Sequence, residues 1–247
     1  MRECGVSVGA GWPGHVGMSG RSVSVTSMIF SACSGEEDDI IRTMTPDEVE
    51  RIFGEAGALL EGHFVLSSGR HSARYLEKFR VFEHPRLTER LCAGIAERIR
   101  EPIDVVVGPT TGGVILAHEV GRQLGTRAMY AEREDGRSGR VLRRGQALDP
   151  SDRVLVVDDI LSTGGAIKET LDAVRRAGAT VAGVAVLVDR SGGAADLGDV
   201  PLTALWATTI ETFDPASCPF CARGIAAVKP GTTPAGVAGT KGGARSA

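Results

Sequence analysis

The sequence lacks the features that would assign it to several broad classes of protein. It has 28 Lys and Arg against 31 Asp and Glu, for a net charge of −3, so it lacks the basic excess typical of nucleic-acid-binding proteins. No window approaches the roughly 18 uninterrupted apolar residues that a transmembrane helix requires. These absences predict a protein with neither a nucleic-acid partner nor a membrane partner.

Cysteine is also scarce, and its pattern argues against a disulfide-bonded secreted protein. The 5 cysteines are an odd number at irregular spacing, which does not suggest a disulfide framework. The N-terminus lacks the continuous apolar stretch of a signal peptide. We therefore expect a cytoplasmic location.

Glycine, by contrast, is abundant, and its distribution divides the chain. The 33 glycines make up about 13% of the residues, against a usual share of roughly 7%. Seven lie in residues 1–43 and five in residues 231–247, and neither end shows sustained hydrophobic periodicity. We expect disordered tails over these two ranges, flanking one domain over residues 44–230.

Within that domain, short apolar runs alternate with helical patterns. The clearest runs are residues 105–107, 128–130, 154–157 and 181–188. Such runs, separated by amphipathic helices, predict an α/β fold with a parallel β-sheet core covered by helices on both faces. The loops that follow parallel strands meet at one edge of the sheet.

The most informative segment runs from Val154 to Ala166. An apolar strand leads into Asp158 and Asp159, then into a small-residue turn and the start of a helix. The N–H groups of such a turn suit a phosphate monoester, and the carboxylates suit the vicinal hydroxyls of a ribose. The segment therefore indicates a ribose 5-phosphate site. The simpler interpretation is a strand–turn–helix with a surface acid pair; a Walker loop is excluded, because no Gly-Lys-Ser/Thr follows.

This segment resembles the phosphoribosyl-pyrophosphate motif of the type I phosphoribosyltransferases, and the other loops follow in that family's order. The resemblance implies a pyrophosphate loop at residues 108–113, a flexible catalytic loop at 132–140 and a base-recognition loop at 189–193. It also implies a small hood built from N- and C-terminal segments, and a homodimer. Mg²⁺ is the implied cofactor, held mainly by the substrate without direct protein ligands.

Residues 62–72 resemble the N-terminal signature of the orotate phosphoribosyltransferases, roughly Phe-x-Leu-x-Ser-Gly-x-x-Ser. Arg190 matches the arginine that this family directs at the orotate ring, and a guanidinium suits the orotate carboxylate. The resemblance covers about residues 44–230. It implies transfer of ribose 5-phosphate from phosphoribosyl pyrophosphate to orotate, giving orotidine 5′-monophosphate and pyrophosphate in de novo pyrimidine biosynthesis. Two alternatives stay open: a phosphoribosyltransferase for another nucleobase, and a non-catalytic sensor of phosphoribosyl pyrophosphate.

The resemblance assigns a role to each predicted site residue. The predicted catalytic residues are Asp158, Asp159, Arg133 and Arg137. The predicted ribose-phosphate site comprises Asp158, Asp159, Ile160, Leu161, Ser162, Thr163, Gly164, Gly165 and Ala166. The predicted pyrophosphate site comprises Thr110, Thr111, Gly112, Gly113 and Arg133. The predicted orotate site comprises Ser68, Gly69, Arg70, Lys78, Ser162 and Arg190.

A scarcity of lysine sets this chain apart from many members of that family. Lysines common in the family are replaced here by Ser67, Gly112, Glu134 and Arg137. Because the pKa of arginine exceeds about 12, it does not readily act as a general acid. An arginine in the catalytic loop would instead stabilise the charge of the leaving group.

One further motif is not explained by the resemblance. Cys218 and Cys221 have the spacing of half a zinc site or of a redox-active pair. A complete zinc site needs about four ligands, and no second Cys or His pair lies nearby in the sequence. We therefore favour a plain structural role for these cysteines.

Overall fold

A computed structural model describes residues 43–230 of the chain, except residues 67, 135 and 137. The two predicted disordered tails, residues 1–43 and 231–247, lie outside this range apart from Thr43, so their disorder stays a prediction. None of the helices formed by the described residues is long and apolar enough to cross a membrane.

A six-stranded sheet forms the centre of the domain, in the order β5-β4-β3-β6-β7-β8. Neighbouring strands run parallel, except that β5 is antiparallel to β4. The strands are β3 (Val105–Pro109), β4 (Arg127–Arg133), β5 (Arg140–Leu142), β6 (Arg153–Leu161), β7 (Thr180–Asp189) and β8 (Leu202–Ala207). The predicted α/β fold with a parallel core is confirmed.

Helices cover both faces of this sheet, which explains the uninterrupted apolar runs of its strands. Successive side chains of a strand point to opposite faces. Leu155 and Val157 therefore pack in one cluster, together with α1, α3 and α4. Val154 and Val156 pack in a second cluster, together with α5. These helices are α1 (Pro46–Glu55), α3 (Pro85–Ala96), α4 (Gly112–Leu124) and α5 (Gly165–Arg176).

The ends of two helices test the sequence signals directly. The backbone N–H of Glu48 donates to Thr45 Oγ1, and Thr45 N–H donates to the Glu48 carboxylate. This is the capping box that the sequence Thr-Pro-Asp-Glu predicts. Leucine and isoleucine at helical spacing from Leu87 to Ile99 predict a helix that ends near Arg100, but α3 ends at Ala96.

A second, smaller sheet forms a hood from both ends of the domain. It has the order β1-β2-β9, with β1 (Leu59–Val65), β2 (His71–Leu76) and β9 (Thr212–Phe213). The short helices α2 (Phe79–Phe82) and α6 (Pro219–Ala222) follow β2 and β9. Near the C-terminus, Val228 N–H donates to His63 O at 2.8 Å, and Val65 N–H donates to Val228 O at 2.9 Å. The predicted hood of N- and C-terminal segments is confirmed.

The strand order reverses beside β3, and this reversal locates the site. The chain passes from β3 through α4 to β4 on one side, and returns to β6 on the other side. Where the order of parallel strands reverses in this way, a crevice opens at their carboxyl ends. The loops at 110–111 and 162–164 border this crevice, as the sequence predicted.

Candidate active site

Asp158 and Asp159, near the carboxyl end of β6, form a largely buried acid pair. The Asp159 side chain is 3% exposed, and its Oδ1 accepts from Lys78 Nζ at 2.8 Å. The same oxygen accepts from Ile160 N–H at 2.8 Å, and Asp158 Oδ1 accepts from Asp159 N–H at 2.9 Å. Lys78, predicted near the base, thus connects the acid pair to the hood.

Burial raises the pKa of both carboxyl groups, because a carboxylate loses its hydration inside the protein. Repulsion from Asp159 raises the pKa of Asp158 further, while Lys78 opposes the rise at Asp159. Burial of Lys78 would lower its own pKa, but the adjacent Asp159 charge raises it overall. Asp159 Oδ2 is buried without a hydrogen-bond partner among the described residues.

The predicted pyrophosphate loop packs directly against this pair. A Cβ atom at Gly112 would lie 1.9 Å from Asp159 Oδ2, and one at Gly108 would lie 1.9 Å from Gly113 O. No side chain fits at either position without displacing the loop or the acid. A side chain at position 112 would therefore displace the Asp159 carboxylate. The Thr110–Thr111 peptide bond in this loop is cis.

The predicted phosphate turn connects β6 to α5. Ser162 and Thr163 are exposed, and Gly164 adopts a φ of +76° at the N-cap of α5. This left-handed conformation favours glycine. The first N–H groups of a helix have no intrahelical partner, so the turn presents donors that an anion can accept from.

Three of the predicted orotate-binding residues line one cavity of about 210 Å³. Arg190 lies at the end of β7, Ser162 follows β6, and Lys78 follows β2. Burial lowers the pKa of Arg190, which remains a cation at neutral pH because its ordinary value is so high. The remaining lining residues are Val65, Leu66, Tyr75, Leu76, Ile160, Lys229 and Pro230.

The other three predicted orotate-binding residues do not line this cavity. Ser68, Gly69 and Arg70 form the exposed turn between β1 and β2. The Arg70 side chain donates from Nε to Thr212 Oγ1 at 2.8 Å, and from a terminal nitrogen to Thr212 O at 2.9 Å. In this conformation of the chain, these two hydrogen bonds connect β9 to the turn between β1 and β2.

The predicted catalytic loop is a β-hairpin whose strands are β4 and β5. Arg133 is exposed and pairs across the hairpin with Arg140, while Arg137 lies outside the described residues. Arg140 is only 4% exposed. It donates to Thr110 Oγ1 at 2.9 Å and pairs with Glu169 at 3.3 Å.

Sequence reasoning missed the fixed position of Arg140 and the contribution of the C-terminal segment. In the sequence Arg140 is only one of several arginines that keep the predicted catalytic loop positive, yet in the structure it connects the hairpin to Thr110 of the predicted pyrophosphate loop. From the sequence alone Tyr75 could cover the base pocket or simply pack, with packing slightly favoured; in the structure it lines the cavity, as do Lys229 and Pro230. For Lys229, the only sequence feature that could have indicated a place in the site is its positive charge just before the predicted C-terminal tail. A larger cavity, of about 530 Å³, contains none of the predicted site residues.

Comparison with known proteins agrees with this geometry. The phosphoribosyl transferase domain family matches residues 81–202. The orotate phosphoribosyltransferase of Pelotomaculum thermopropionicum is 50% identical over 190 residues, which span 76% of this chain and 98% of that protein. That of Maricaulis maris is 47% identical over 193 residues, with the same two coverages of 76% and 98%. The crystal structure of orotate phosphoribosyltransferase from Aeropyrum pernix has a TM-score of 0.57 and 29% identity, covering 64% of this chain and 93% of that one.

The parallel sheet with its hood, the acid pair and the phosphate turn define a type I phosphoribosyltransferase. Sequence identity to the relatives named above extends over almost their whole length. This identity distinguishes the orotate enzymes from other members of the class. The chain belongs to the orotate phosphoribosyltransferase family, and is accordingly a transferase enzyme. Both resemblances found in the sequence are confirmed.

The close approach at Gly112 predicts a severe effect of Gly112→Ala. The added methyl group would collide with Asp159 Oδ2, so we expect kcat/KM for phosphoribosyl pyrophosphate to fall at least about 100-fold. Gly54→Ala is the matched control, because a Cβ atom there meets nothing within 4 Å. Steady-state kinetics on both variants test this; equal activities would show that the loop has room at position 112.

The raised pKa of Asp158 predicts that Asp158→Asn stabilises the fold. A carboxyl group whose pKa is raised on folding contributes stability below its unfolded pKa, and that contribution is lost as pH rises through the folded value. A tenfold difference in proton affinity between the folded and unfolded states corresponds to about 1.4 kcal/mol. We therefore expect the variant's gain in unfolding free energy to increase from pH 5 to pH 8.

Urea denaturation at several pH values measures this gain. The control is Asp172→Asn, since the Asp172 side chain is 60% exposed on α5. A gain at Asp158 that stays constant with pH, or that shrinks as pH rises, would contradict the raised pKa.

Proposed function

We propose that the chain transfers the 5-phosphoribosyl group from phosphoribosyl pyrophosphate to orotate, giving orotidine 5′-monophosphate and pyrophosphate. The observation that carries this proposal is the cavity in which Arg190, Lys78 and Ser162 meet beside the acid pair. The cavity supplies a guanidinium for the carboxylate of orotate. The acid pair and the phosphate turn supply the partners of the activated sugar.

The proposed reaction is a displacement at C1 of the ribose. A bond forms between C1 and a ring nitrogen of orotate as the bond between C1 and the pyrophosphate oxygen breaks, and the nitrogen releases its proton to water. The leaving electron pair stays on pyrophosphate, and positive charge develops on the ribose. Little covalent chemistry falls to the protein, whose contribution is to orient the two substrates and stabilise the developing charges.

The acid pair is the proposed receptor of the ribose. The unpartnered Asp159 Oδ2 supports this role, because a buried acceptor without a donor is costly and a ribose hydroxyl would satisfy it. Asp158 is the second acceptor beside it. The 5-phosphate would lie on the turn from Ser162 to Gly165, at the N-terminus of α5.

Mg²⁺ is the proposed cofactor, and the donor set at the site fits it. Asp158 and Asp159 offer carboxylate oxygens, the hard ligands that Mg²⁺ prefers. We expect pyrophosphate and ribose oxygens to hold most of its coordination sphere, with the acid pair binding the same ribose hydroxyls. When bound, Mg²⁺ neutralises part of the pyrophosphate charge.

The arginines of the hairpin are the proposed partners of the leaving group. Arg133 and Arg137 would stabilise charge on pyrophosphate, and Arg140 keeps Thr110 of the pyrophosphate loop in place. Closure of the hairpin would exclude water that otherwise hydrolyses the activated sugar. By resemblance to the family, the hairpin reaches a neighbouring subunit, so we propose a homodimer; we also propose a cytoplasmic location.

A pair of arginine variants tests which cation receives orotate. In a spectrophotometric assay with phosphoribosyl pyrophosphate and Mg²⁺, the wild type should consume orotate. Arg190→Ala should raise the KM for orotate about 100-fold or more, because a half-buried cation facing the carboxylate is lost. The KM for phosphoribosyl pyrophosphate should change far less.

Arg70→Ala is the comparison, since Arg70 donates to Thr212 rather than lining the cavity. We expect it to change the KM for orotate much less than Arg190→Ala does. The reverse ranking would show that the hairpin turn, not the cavity at Arg190, receives orotate. Turnover of another base but not orotate, or binding of the sugar without any turnover, would overturn the proposed reaction.

A further inference from the structure

Four metal-ligating side chains meet in the hood, away from the residues assigned to the reaction. His63 lies on β1, His71 on β2, and Cys218 and Cys221 lie at the start of α6 and within it. Each offers one ligand atom, and the four atoms lie within 4.8 Å of one another. Cys218 is 155 residues from His63 in sequence, so the missing half of the Cys-x-x-Cys site comes from the opposite end of the domain.

Four of the six separations between these atoms lie within about half an ångström of those expected at a tetrahedral centre. His63 Nε2 lies 2.8 Å from His71 Nδ1 and 3.4 Å from Cys218 Sγ. Cys221 Sγ lies 3.3 Å from His71 Nδ1 and 3.8 Å from His63 Nε2. Zn–N bonds of about 2.0 Å and Zn–S bonds of about 2.3 Å at a tetrahedral ion place such ligands roughly 3.3–3.8 Å apart.

The tautomer of His63 also favours a metal. Its Nδ1 lies 2.7 Å from Ile225 O, and a carbonyl oxygen only accepts, so Nδ1 carries the proton of the neutral ring. Nε2 then presents a lone pair to the other three ligand atoms. A ligating histidine whose second nitrogen donates to a backbone carbonyl is the usual arrangement at zinc sites.

We propose that His63, His71, Cys218 and Cys221 bind a structural zinc ion. Two thiolates and two neutral imidazoles balance the charge of Zn²⁺, so the complex is neutral. A neutral complex suits its surroundings, because Cys218, His63 and His71 are buried and the Phe220 ring stacks on His63 at 5.3 Å. Mixed sulfur and nitrogen ligands in a closed set of four are typical of structural zinc.

The ion would cross-link the C-terminal segment that contains Cys218 and Cys221 to the hairpin of β1 and β2. Two backbone hydrogen bonds already join Val228 to His63 and Val65. The next two residues, Lys229 and Pro230, line the cavity that contains Arg190. The zinc would therefore stabilise one wall of that cavity without contacting a substrate.

Metal analysis of the purified full chain tests the proposal directly. We expect about one equivalent of zinc per chain by mass spectrometry, falling below about 0.1 in Cys218→Ser/Cys221→Ser. Cys92→Ala is the control for thiol content, since Cys92 lies in the hydrophobic core on α3 and is not one of the four ligands, and it should retain the zinc. Removal of zinc by a chelator should lower the melting temperature, and added Zn²⁺ should restore it.

Cobalt substitution provides a readout that does not depend on the stability of any variant. Co²⁺ added to the zinc-free wild type should give the intense visible bands of a tetrahedral centre, together with a thiolate charge-transfer band. Octahedral or absent bands would overturn the site, as would full zinc content in the double variant. A wild-type chain without metal whose mass shows a Cys218–Cys221 disulfide would instead establish a redox pair, and one equivalent of another metal would overturn the zinc assignment.

Discussion

Burial of the Asp159 carboxylate against Gly112 is the constraint on which the site depends. Oδ1 of this carboxylate is held by Lys78, while Oδ2 faces a backbone where even a methyl group does not fit. The position couples three parts of the molecule: the central strand β6, the pyrophosphate loop after β3, and the hood through Lys78. Desolvation raises the pKa of the Asp159 carboxyl group. The charged form of this group is therefore less stable in the buried site than it would be in water. A local loss of stability of this kind is common at sites that bind a ligand.

The hood supplies the residues of the candidate site that the central sheet does not. The sheet edge supplies the acid pair, the predicted phosphate turn and Arg190, to which the proposed function assigns the sugar and one end of the base. The hairpin of β1 and β2 contributes Tyr75 and Lys78, and the C-terminal segment contributes Lys229. Because a two- or three-stranded sheet this small buries little apolar surface, it needs support from other contacts. The His and Cys cluster lies where such support joins both ends of the domain.

The sequence predicted the features that depend on local chemistry. The central strands, covered on both faces, are uninterrupted apolar runs in the sequence, and the small residues after Asp159 predict the turn that connects β6 to α5. Features set by long-range contact escaped it. In the sequence, Arg70 and Arg190 are both cations in segments that resemble the family. Only the structure shows that Arg70 donates to Thr212 while Arg190 lines the cavity. His63 and Cys218 could not be paired from sequence, because they meet only through the pairing of distant segments in the hood.

The central claim is that the acid pair receives the ribose of phosphoribosyl pyrophosphate. Calorimetric titration of this compound, with Mg²⁺ present, into Asp159→Asn and wild-type protein tests it most directly. The variant keeps the size of the side chain but loses the charge, and a charge-assisted hydrogen bond contributes about 1.5–3 kcal/mol. We predict affinity at least about tenfold weaker in Asp159→Asn, with affinity unchanged in the exposed control Asp172→Asn. Equal affinity of Asp159→Asn and wild type would contradict the account.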